Sequence, residues 1–146
     1  MDKITIGIPF GNNRAYAKIP GERIVFDGEM KPHEPVEEFE KLLTAKLENP
    51  TGCPPLKEQV KPGDRVLILI DDNTRPTPVD SILPVLINHL LDSGLKAEKI
   101  EILTAPGTHR VMTEQEIISK VGRSVHSSFV IHQHDFKDTA SMEHLG

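Results

Sequence analysis

The sequence is short of aromatic residues, because its 146 residues include no tryptophan, one tyrosine and five phenylalanines. Proteins that bind single-stranded nucleic acid usually stack the bases on aromatic side chains, which this composition hardly supplies. Positive charge is also scarce: 17 lysines and arginines stand against 22 aspartates and glutamates, for a net charge of −5. No basic groove is predicted. We therefore expect no nucleic-acid partner.

Cysteine and long apolar segments are scarce as well. Cys53 is the single cysteine, so no disulfide can form within the chain and a reducing cytoplasm is the expected compartment. The longest aliphatic run, Val66–Ile70, is far too short to cross a membrane. The first four residues lack the charged and apolar regions of a secretion signal. These features predict a cytoplasmic protein that makes no membrane contact.

The sequence has enough apolar residues, 37%, to bury the core of one domain. Its first thirty residues favour β structure, since isoleucines alternate with other residues from Ile4 to Ile8. A turn at Gly11–Asn13 leads into a second strand, Ala15–Ile19, and a third short strand is predicted at Arg23–Phe26. An apolar stripe of helical spacing then runs from Val36 to Leu47.

Residues 62–136 alternate strands with helices. The predicted order is a strand, a helix, a strand, a helix opened by a capping box of Thr113 and Glu116, and a last strand; the segments are Val66–Ile70, Ser81–Leu91, Ile100–Leu103, Thr113–Val121 and Phe129–His132. The aliphatic run of the first of these strands is typical of a strand covered on both faces. The predicted fold class is α/β, a Rossmann-like and mostly parallel sheet with flanking helices plus an N-terminal β segment.

Two polar loops follow the first two strands of this predicted sheet, Asp71–Pro76 and Ala105–Arg110. In parallel α/β sheets, ligands bind outside the carboxyl ends of the strands. A single crossover usually joins neighbouring strands, so the two loops are expected to share one crevice.

The residues of these loops allow more than one interpretation. Asp72 offers a hydrogen-bond acceptor and Arg75 a planar fork for a carboxylate or phosphate. The spacing is equally consistent with Asp72 capping the next helix while Arg75 pairs with a surface acid. His109 can exchange a proton near neutral pH. A lone loop histidine more often has no chemical role, but two such loops at adjacent strand ends favour a site.

His132 and His134 could also form a metal site, which is a further possible function. The two side chains alternate along the last predicted strand and would face the same side of it. No third ligand stands at a recognisable spacing, so histidines hydrogen-bonded at the strand end are favoured and no metal ligand is predicted.

Short motifs spread over nearly the whole chain resemble the N-terminal domain of the nickel-pincer lactate racemase family. The most specific pair is Asp-Asn-Thr-Arg-Pro at 72–76 followed by Gly-Thr-His-Arg at 107–110. Further matching segments are Ile8–Gly11, Glu48–Gly52, Thr113 with Glu116, His134–Asp135 and Leu145–Gly146.

The resemblance implies an isomerase that interconverts the two enantiomers of a 2-hydroxy acid. Its cofactor would be the nickel-pincer nucleotide, Ni(II)-pyridinium-3,5-bisthiocarboxylate mononucleotide, which accepts the α-hydrogen as hydride and leaves a planar 2-keto acid. His109 matches one of two histidines that exchange the hydroxyl proton. The loop of Asp72, Asn73, Thr74 and Arg75 matches the segment that contacts the cofactor.

In this family a second domain carries the tethering lysine, the nickel-ligating histidine and the other catalytic histidine. We therefore expect residues 1–146 to be the N-terminal domain of a two-domain enzyme, excised from it rather than a natural half, and inactive alone. Its exposed domain interface is expected to promote self-association, so a homo-oligomer is one possible state. The alternative is a stand-alone anion- or nucleotide-binding α/β module without catalysis. The sequence leaves open which hydroxy acid is the substrate.

Overall fold

The structure, a computed structural model, describes residues 2–11, 13–26, 28, 31, 34 and 36–143. The chain divides into two compact units, Met1–Pro35 and Val36–Gly146. None of the helices within the described ranges combines the length and the apolar character needed to span a membrane.

The first unit is an antiparallel hairpin of β1 (Lys3–Phe10) and β2 (Asn13–Pro20). Gly11 turns between the strands with φ of 56°, a conformation that glycine adopts without strain. The third strand predicted at Arg23–Phe26 is wrong. The chain instead makes a 3₁₀ turn at Gly21–Arg23, where the Gly21 N–H donates to the Asp2 carbonyl, and the next residues find no strand to pair with among the described ones.

The second unit contains three strands and five α-helices within its described residues. In chain order these are α1 (Phe39–Glu48), α2 (Leu56–Gln59), β3 (Val66–Ile70), α3 (Val79–Asp92), β4 (Ile100–Thr104), α4 (Glu114–Val121), α5 (Arg123–Ser128) and β5 (Val130–Gln133). The helix α5 lies within a segment for which no separate helix was predicted. Both β3–β4 and β4–β5 are parallel, and the sheet order is β3-β4-β5.

The predicted fold class is confirmed: a parallel sheet flanked by helices, with an N-terminal antiparallel hairpin. The predicted capping box is also present, because the Thr113 side chain accepts from the Glu116 N–H while the Glu116 carboxylate accepts from the Thr113 N–H. Two helix starts differ from the sequence pattern. The first helix begins at Phe39 rather than near Val36, and α3 begins at Val79, so that Pro84 lies in its second turn.

The hydrophobic core lies on one face of the parallel sheet. Alternate residues of β3 and β4 pack there against α3, α4 and α5; the buried members include Ile68, Ile70, Ile100, Ile102, Val79, Leu83, Ile87, Leu90, Val121 and Val125. On the other face, Leu67 and Leu69 of β3 are exposed. The prediction that β3 is covered on both faces is therefore wrong for the described residues, because the helices there lie against only one side of it.

This asymmetry gives a direct test with a matched pair of leucines. Leu83→Ala removes a side chain that is 1% exposed, and we expect it to lower the free energy of unfolding by about 3 kcal/mol through lost burial and a cavity. Leu69→Ala removes a side chain that is 65% exposed, and we expect a loss below about 1 kcal/mol. Urea denaturation of residues 1–146 measures both. Equal losses would show that the two faces are equally buried.

Candidate active site

The register of β3 and β4 brings the two polar loops together. Ile70 stands opposite Thr104 at the carboxyl ends of the strands, and the Ala105 N–H donates to the Ile70 carbonyl at 2.8 Å. The loops that follow leave the sheet side by side and enclose a hollow of about 280 Å³. It is lined by Asp71, Asp72, Arg75 and residues 105–109. The two loops thus share one crevice, as the strand order predicts.

The shortest link between the two loops joins Asp72 to His109. The Asp72 Oδ2 atom lies 2.7 Å from His109 Nδ1, across 37 positions of sequence. The carboxylate is buried, with a side chain 4% exposed, whereas the imidazole is 51% exposed. The Asp72 carboxylate is therefore fixed within the protein, whereas the His109 imidazole faces the hollow.

The Asp72 carboxylate is held in its ionised form. Its Oδ1 accepts the Thr74 hydroxyl at 2.6 Å and the Thr74 N–H at 3.1 Å. The Thr74 hydroxyl contributes most to lowering the pKa of Asp72 to about 2, and the bond from His109 adds to it against the opposing effect of burial.

An ionised Asp72 determines which nitrogen of His109 carries the proton in the neutral ring. A carboxylate can only accept, so Nδ1 must donate to it. The lone pair of Nε2 is then free to take a proton from a ligand, which is the arrangement of an oriented general base.

Arg75 lies at the edge of the same hollow with its side chain exposed. Its N–H closes a turn onto the Asp72 carbonyl at 3.2 Å. Within the ranges that the structure describes, its guanidinium makes no ion pair, so the interpretation that Arg75 pairs with a surface acid is wrong there. The interpretation that Asp72 caps the next helix is also wrong, because α3 begins without a side-chain cap.

Asn73 and Thr74 were also predicted to contact the cofactor. Their side chains form hydrogen bonds with other residues of this chain. The Thr74 hydroxyl is bonded to Asp72, and the Asn73 amide donates to Glu116 Oε1 at 3.0 Å. Glu116 also accepts two bonds from the Arg110 guanidinium, at 2.7 and 2.8 Å, which contribute most to lowering the pKa of Glu116 to about 2. The first turn of α4 thus holds both loops.

Lys120 is a residue of this site that sequence reasoning missed. Its side chain is 6% exposed, and Nζ lies 2.7 Å from Asp71 Oδ1. It also donates to the carbonyls of Arg75 and Thr77, at 2.9 and 3.3 Å. Burial raises the pKa of Asp71, but bonds from Lys120 and Thr77 outweigh it and the net shift is downward. The sequence does contain a sign of this role, because Lys120 falls in the buried stripe of α4, beside Val121, where a lysine needs an oxygen partner.

Lys120 fixes the path of the loop after β3. It joins an acidic side chain at the start of the loop to two backbone carbonyls near its end. A buried ammonium with three oxygen partners is satisfied, and removing it would leave those oxygens without their donor. The loop that carries Asp72 and Arg75 is therefore held from beneath by α4.

The two histidines considered for a metal site make contacts within the sheet, His132 through its side chain and His134 through its backbone. His132 Nε2 lies 2.6 Å from Glu101 Oε2 on the exposed face of the sheet, away from the hollow. The N–H of His134 donates to the Thr104 carbonyl. No group of three histidine, cysteine, aspartate or glutamate side chains that could hold a metal ion occurs in the described part of the chain.

Residues 10–146 match the family described as lactate racemase N-terminal domain. The chain belongs to this family. It is 30% identical over 145 residues to a lactate racemase of Thermoanaerobacterium thermosaccharolyticum, a match that covers 97% of this chain and 33% of that protein. It is 29% identical over 145 residues to a lactate racemase of Lactiplantibacillus plantarum, covering 99% and 32%. The chain thus spans about a third of the length of these relatives, and the resemblance to the racemase family is confirmed.

The low pKa of Asp72 predicts how the stability of this domain responds to acid. A lowered pKa stabilises the fold above the unfolded value of 3.8, and this stabilisation is lost as the pH falls through about 2. At pH 7 we expect wild type to exceed Asp72→Asn by about 2 kcal/mol in free energy of unfolding, at about 1.36 kcal/mol per unit of pKa. The difference should shrink between about pH 4 and pH 2.

Chemical denaturation across this pH range measures the difference. Asp92→Asn, at an exposed aspartate at the end of α3, is the matched control and should follow wild type throughout. A gap between wild type and Asp72→Asn that stays constant down to pH 2 would contradict an ionised, hydrogen-bonded Asp72.

Proposed function

We propose that this chain is the N-terminal domain of a cytoplasmic 2-hydroxy-acid racemase or epimerase of the lactate type. The observation that supports this most is the hydrogen bond between Asp72 and His109, at the common edge of β3 and β4 and beside Arg75. Membership of the lactate racemase N-terminal domain family supplies the reaction class. The stand-alone anion-binding module explains Arg75 but gives no reason for an oriented histidine.

In this proposal His109 is the catalytic base toward one enantiomer. Its Nε2 takes the proton of the substrate hydroxyl as the α-hydrogen leaves, and returns it when the hydroxyl reforms. Asp72 keeps the ring oriented through Nδ1 and stabilises the imidazolium that forms. A buried, ionised carboxylate suits this role because it needs no rearrangement when the positive charge appears.

Arg75 binds the negative charge of the ligand. Its guanidinium lines the hollow and has five N–H donors, a geometry that fits a carboxylate in two parallel hydrogen bonds. The Thr74 hydroxyl and one N–H of the Asn73 amide already donate to protein partners, so Arg75 offers a ligand the most side-chain donors of this loop. It would position the acid so that the hydroxyl lies against His109.

The resemblance assigns the nickel-pincer nucleotide as cofactor, and when bound it supplies the acceptor for the α-hydrogen. The exposed guanidinium beside the hollow fits an anionic nucleotide, so Arg75 and the backbone of residues 72–74 would contact it. The resemblance assigns the nickel-ligating histidine and the tethering lysine to a second domain of the enzyme. Residues 1–146 alone should therefore not racemise lactate.

The test is racemisation of D- and L-lactate by the full-length enzyme carrying His109→Gln. We expect the rate to fall by about 10²- to 10⁴-fold, the usual contribution of a general base. The fold should persist, because His109 is half exposed and adds little to the core. His126→Gln, at a histidine of α5 that does not line the hollow, is the control and should retain activity. Full activity in a folded His109→Gln enzyme would overturn the proposal.

A further inference from the structure

The loop that carries His109 is held at both of its ends by two adjacent residues. The loop leaves β4 after Thr104 and reaches the core again at Met112, whose side chain is buried. At the first end, the His134 N–H donates to the Thr104 carbonyl at 3.0 Å. At the second end, the side chain of Gln133 binds the backbone of Met112. The last residue of β5 and the residue that follows it thus close the base of the loop.

The side-chain amide of Gln133 binds Met112 in the way that a residue of a neighbouring strand would. Its Oε1 accepts from the Met112 N–H at 2.7 Å, and its Nε2 donates to the Met112 carbonyl at 3.0 Å. A primary amide carries both an acceptor oxygen and N–H donors, so it completes the two bonds together. Paired residues of antiparallel strands exchange the same two bonds. A side chain here takes the place of a strand.

The half of the loop that follows His109 depends on bonds from side chains. Within the described residues, the N–H and carbonyl groups of residues 110–112 form no hydrogen bond with another backbone group. The Val111 carbonyl accepts from the guanidinium of its neighbour in the loop, and both backbone groups of Met112 bind Gln133. In the described part of the chain, Gln133 is therefore the hydrogen-bonded link between this stretch of backbone and the sheet.

The imidazole of His109 depends on this backbone because packing does not hold the ring. Half of the side chain is exposed, and within the described residues its ring makes one hydrogen bond, to Asp72. The Asp72 carboxylate is itself fixed by two bonds from Thr74, so it does not follow a displaced ring. A shift of the His109 backbone by about 1 Å would stretch the 2.7 Å contact beyond hydrogen-bond range.

We propose that Gln133 is a positioning residue of the racemase reaction, which keeps the His109 imidazole against Asp72 by binding both backbone groups of Met112. This inference rests on the proposed function, in which His109 is the general base. Gln133 does not line the hollow, so it acts through the backbone of the loop and not on the substrate. The proposal also gives a structural reason for the segment His134–Asp135, because the His134 N–H holds the other end of the same loop.

The first measurement is the tautomer of the neutral His109 ring in Gln133→Met. Methionine is unbranched and similar in length to glutamine but has no amide, so both bonds to Met112 are lost. We expect the ¹⁵N shifts of Nδ1 and Nε2 to move toward each other, because the ring then spends part of its time away from Asp72 and populates the Nε2–H form. Long-range ¹H–¹⁵N correlation spectra of residues 1–146 measure both shifts.

Two control variants separate positioning from general stability. Gln115→Met makes the same change at an exposed glutamine of α4, which forms no side-chain hydrogen bond within the described residues. Ile87→Val removes a methylene group from the core at a residue of α3 that does not line the hollow. Both variants should keep the wild-type ¹⁵N shifts of His109, although Ile87→Val lowers the urea concentration at the midpoint of unfolding.

The second measurement is lactate racemisation by the full-length enzyme. We expect Gln133→Met to lower kcat by about 10- to 10²-fold, which is the effect of a small misplacement of a catalytic group. KM should change by less than about twofold, because Arg75 lies on the other loop and keeps its place in the hollow. Gln115→Met should keep the wild-type kcat and KM.

Wild-type ¹⁵N shifts or a wild-type kcat in folded Gln133→Met would each overturn the inference. A raised KM with an unchanged kcat would also overturn it, as would a shift in Ile87→Val as large as that in Gln133→Met, which would reflect a loosened core.

A second variant decides the question if Gln133→Met does not fold. Gln133→Glu keeps the shape of the side chain, but its carboxylate has no donor for the Met112 carbonyl. The shifts of His109 should move in the same direction, and wild-type shifts would refute the inference. The proposed function fails by a different result, full activity of His109→Gln, and the ¹⁵N shifts then still show whether Gln133 holds the ring.

Discussion

The parallel pairing of β3 with β4 is the constraint on which the rest of this domain depends. It sets Ile70 opposite Thr104, so the two strands release their loops at the same point of one sheet edge. A shift of β3 by one residue would reverse the direction of each of its side chains and place Ile68 on the exposed face of the sheet, which the burial of Ile68 opposes. The packing of isoleucines in the core thus determines where Asp72 and His109 meet.

Polar contacts then fix the loops that the sheet has brought together. Two side chains of α4 make these contacts. Lys120 binds the Arg75 carbonyl and the Asp71 carboxylate of the first loop. Glu116 accepts from Asn73 of the first loop and from Arg110 of the second. These contacts leave His109 and Arg75 exposed at the hollow. The rigid parts of the site are buried or paired, and the two groups that face a ligand are an imidazole and a guanidinium.

Much of this could be predicted from the sequence, because it depends on local patterns. Alternation, turn residues and aliphatic runs located all five strands of the described residues, and Thr113 with Glu116 located the start of α4. The additional strand predicted at Arg23–Phe26 is wrong, because a strand needs a neighbour to pair with and a local pattern does not show whether one is present. The contact of Lys120 with a loop 43 to 45 residues away and the uncovered face of β3 likewise depend on tertiary packing.

Asp72 holds the neutral His109 ring with Nδ1 protonated and the lone pair of Nε2 free. Long-range ¹H–¹⁵N correlation spectra of residues 1–146 measure the tautomer of the neutral ring directly. The structure predicts the Nδ1–H tautomer in the wild type and a change toward Nε2–H when Asp72→Ala removes the acceptor. An Nε2–H ring in the wild type, or a tautomer unaffected by Asp72→Ala, would contradict the account.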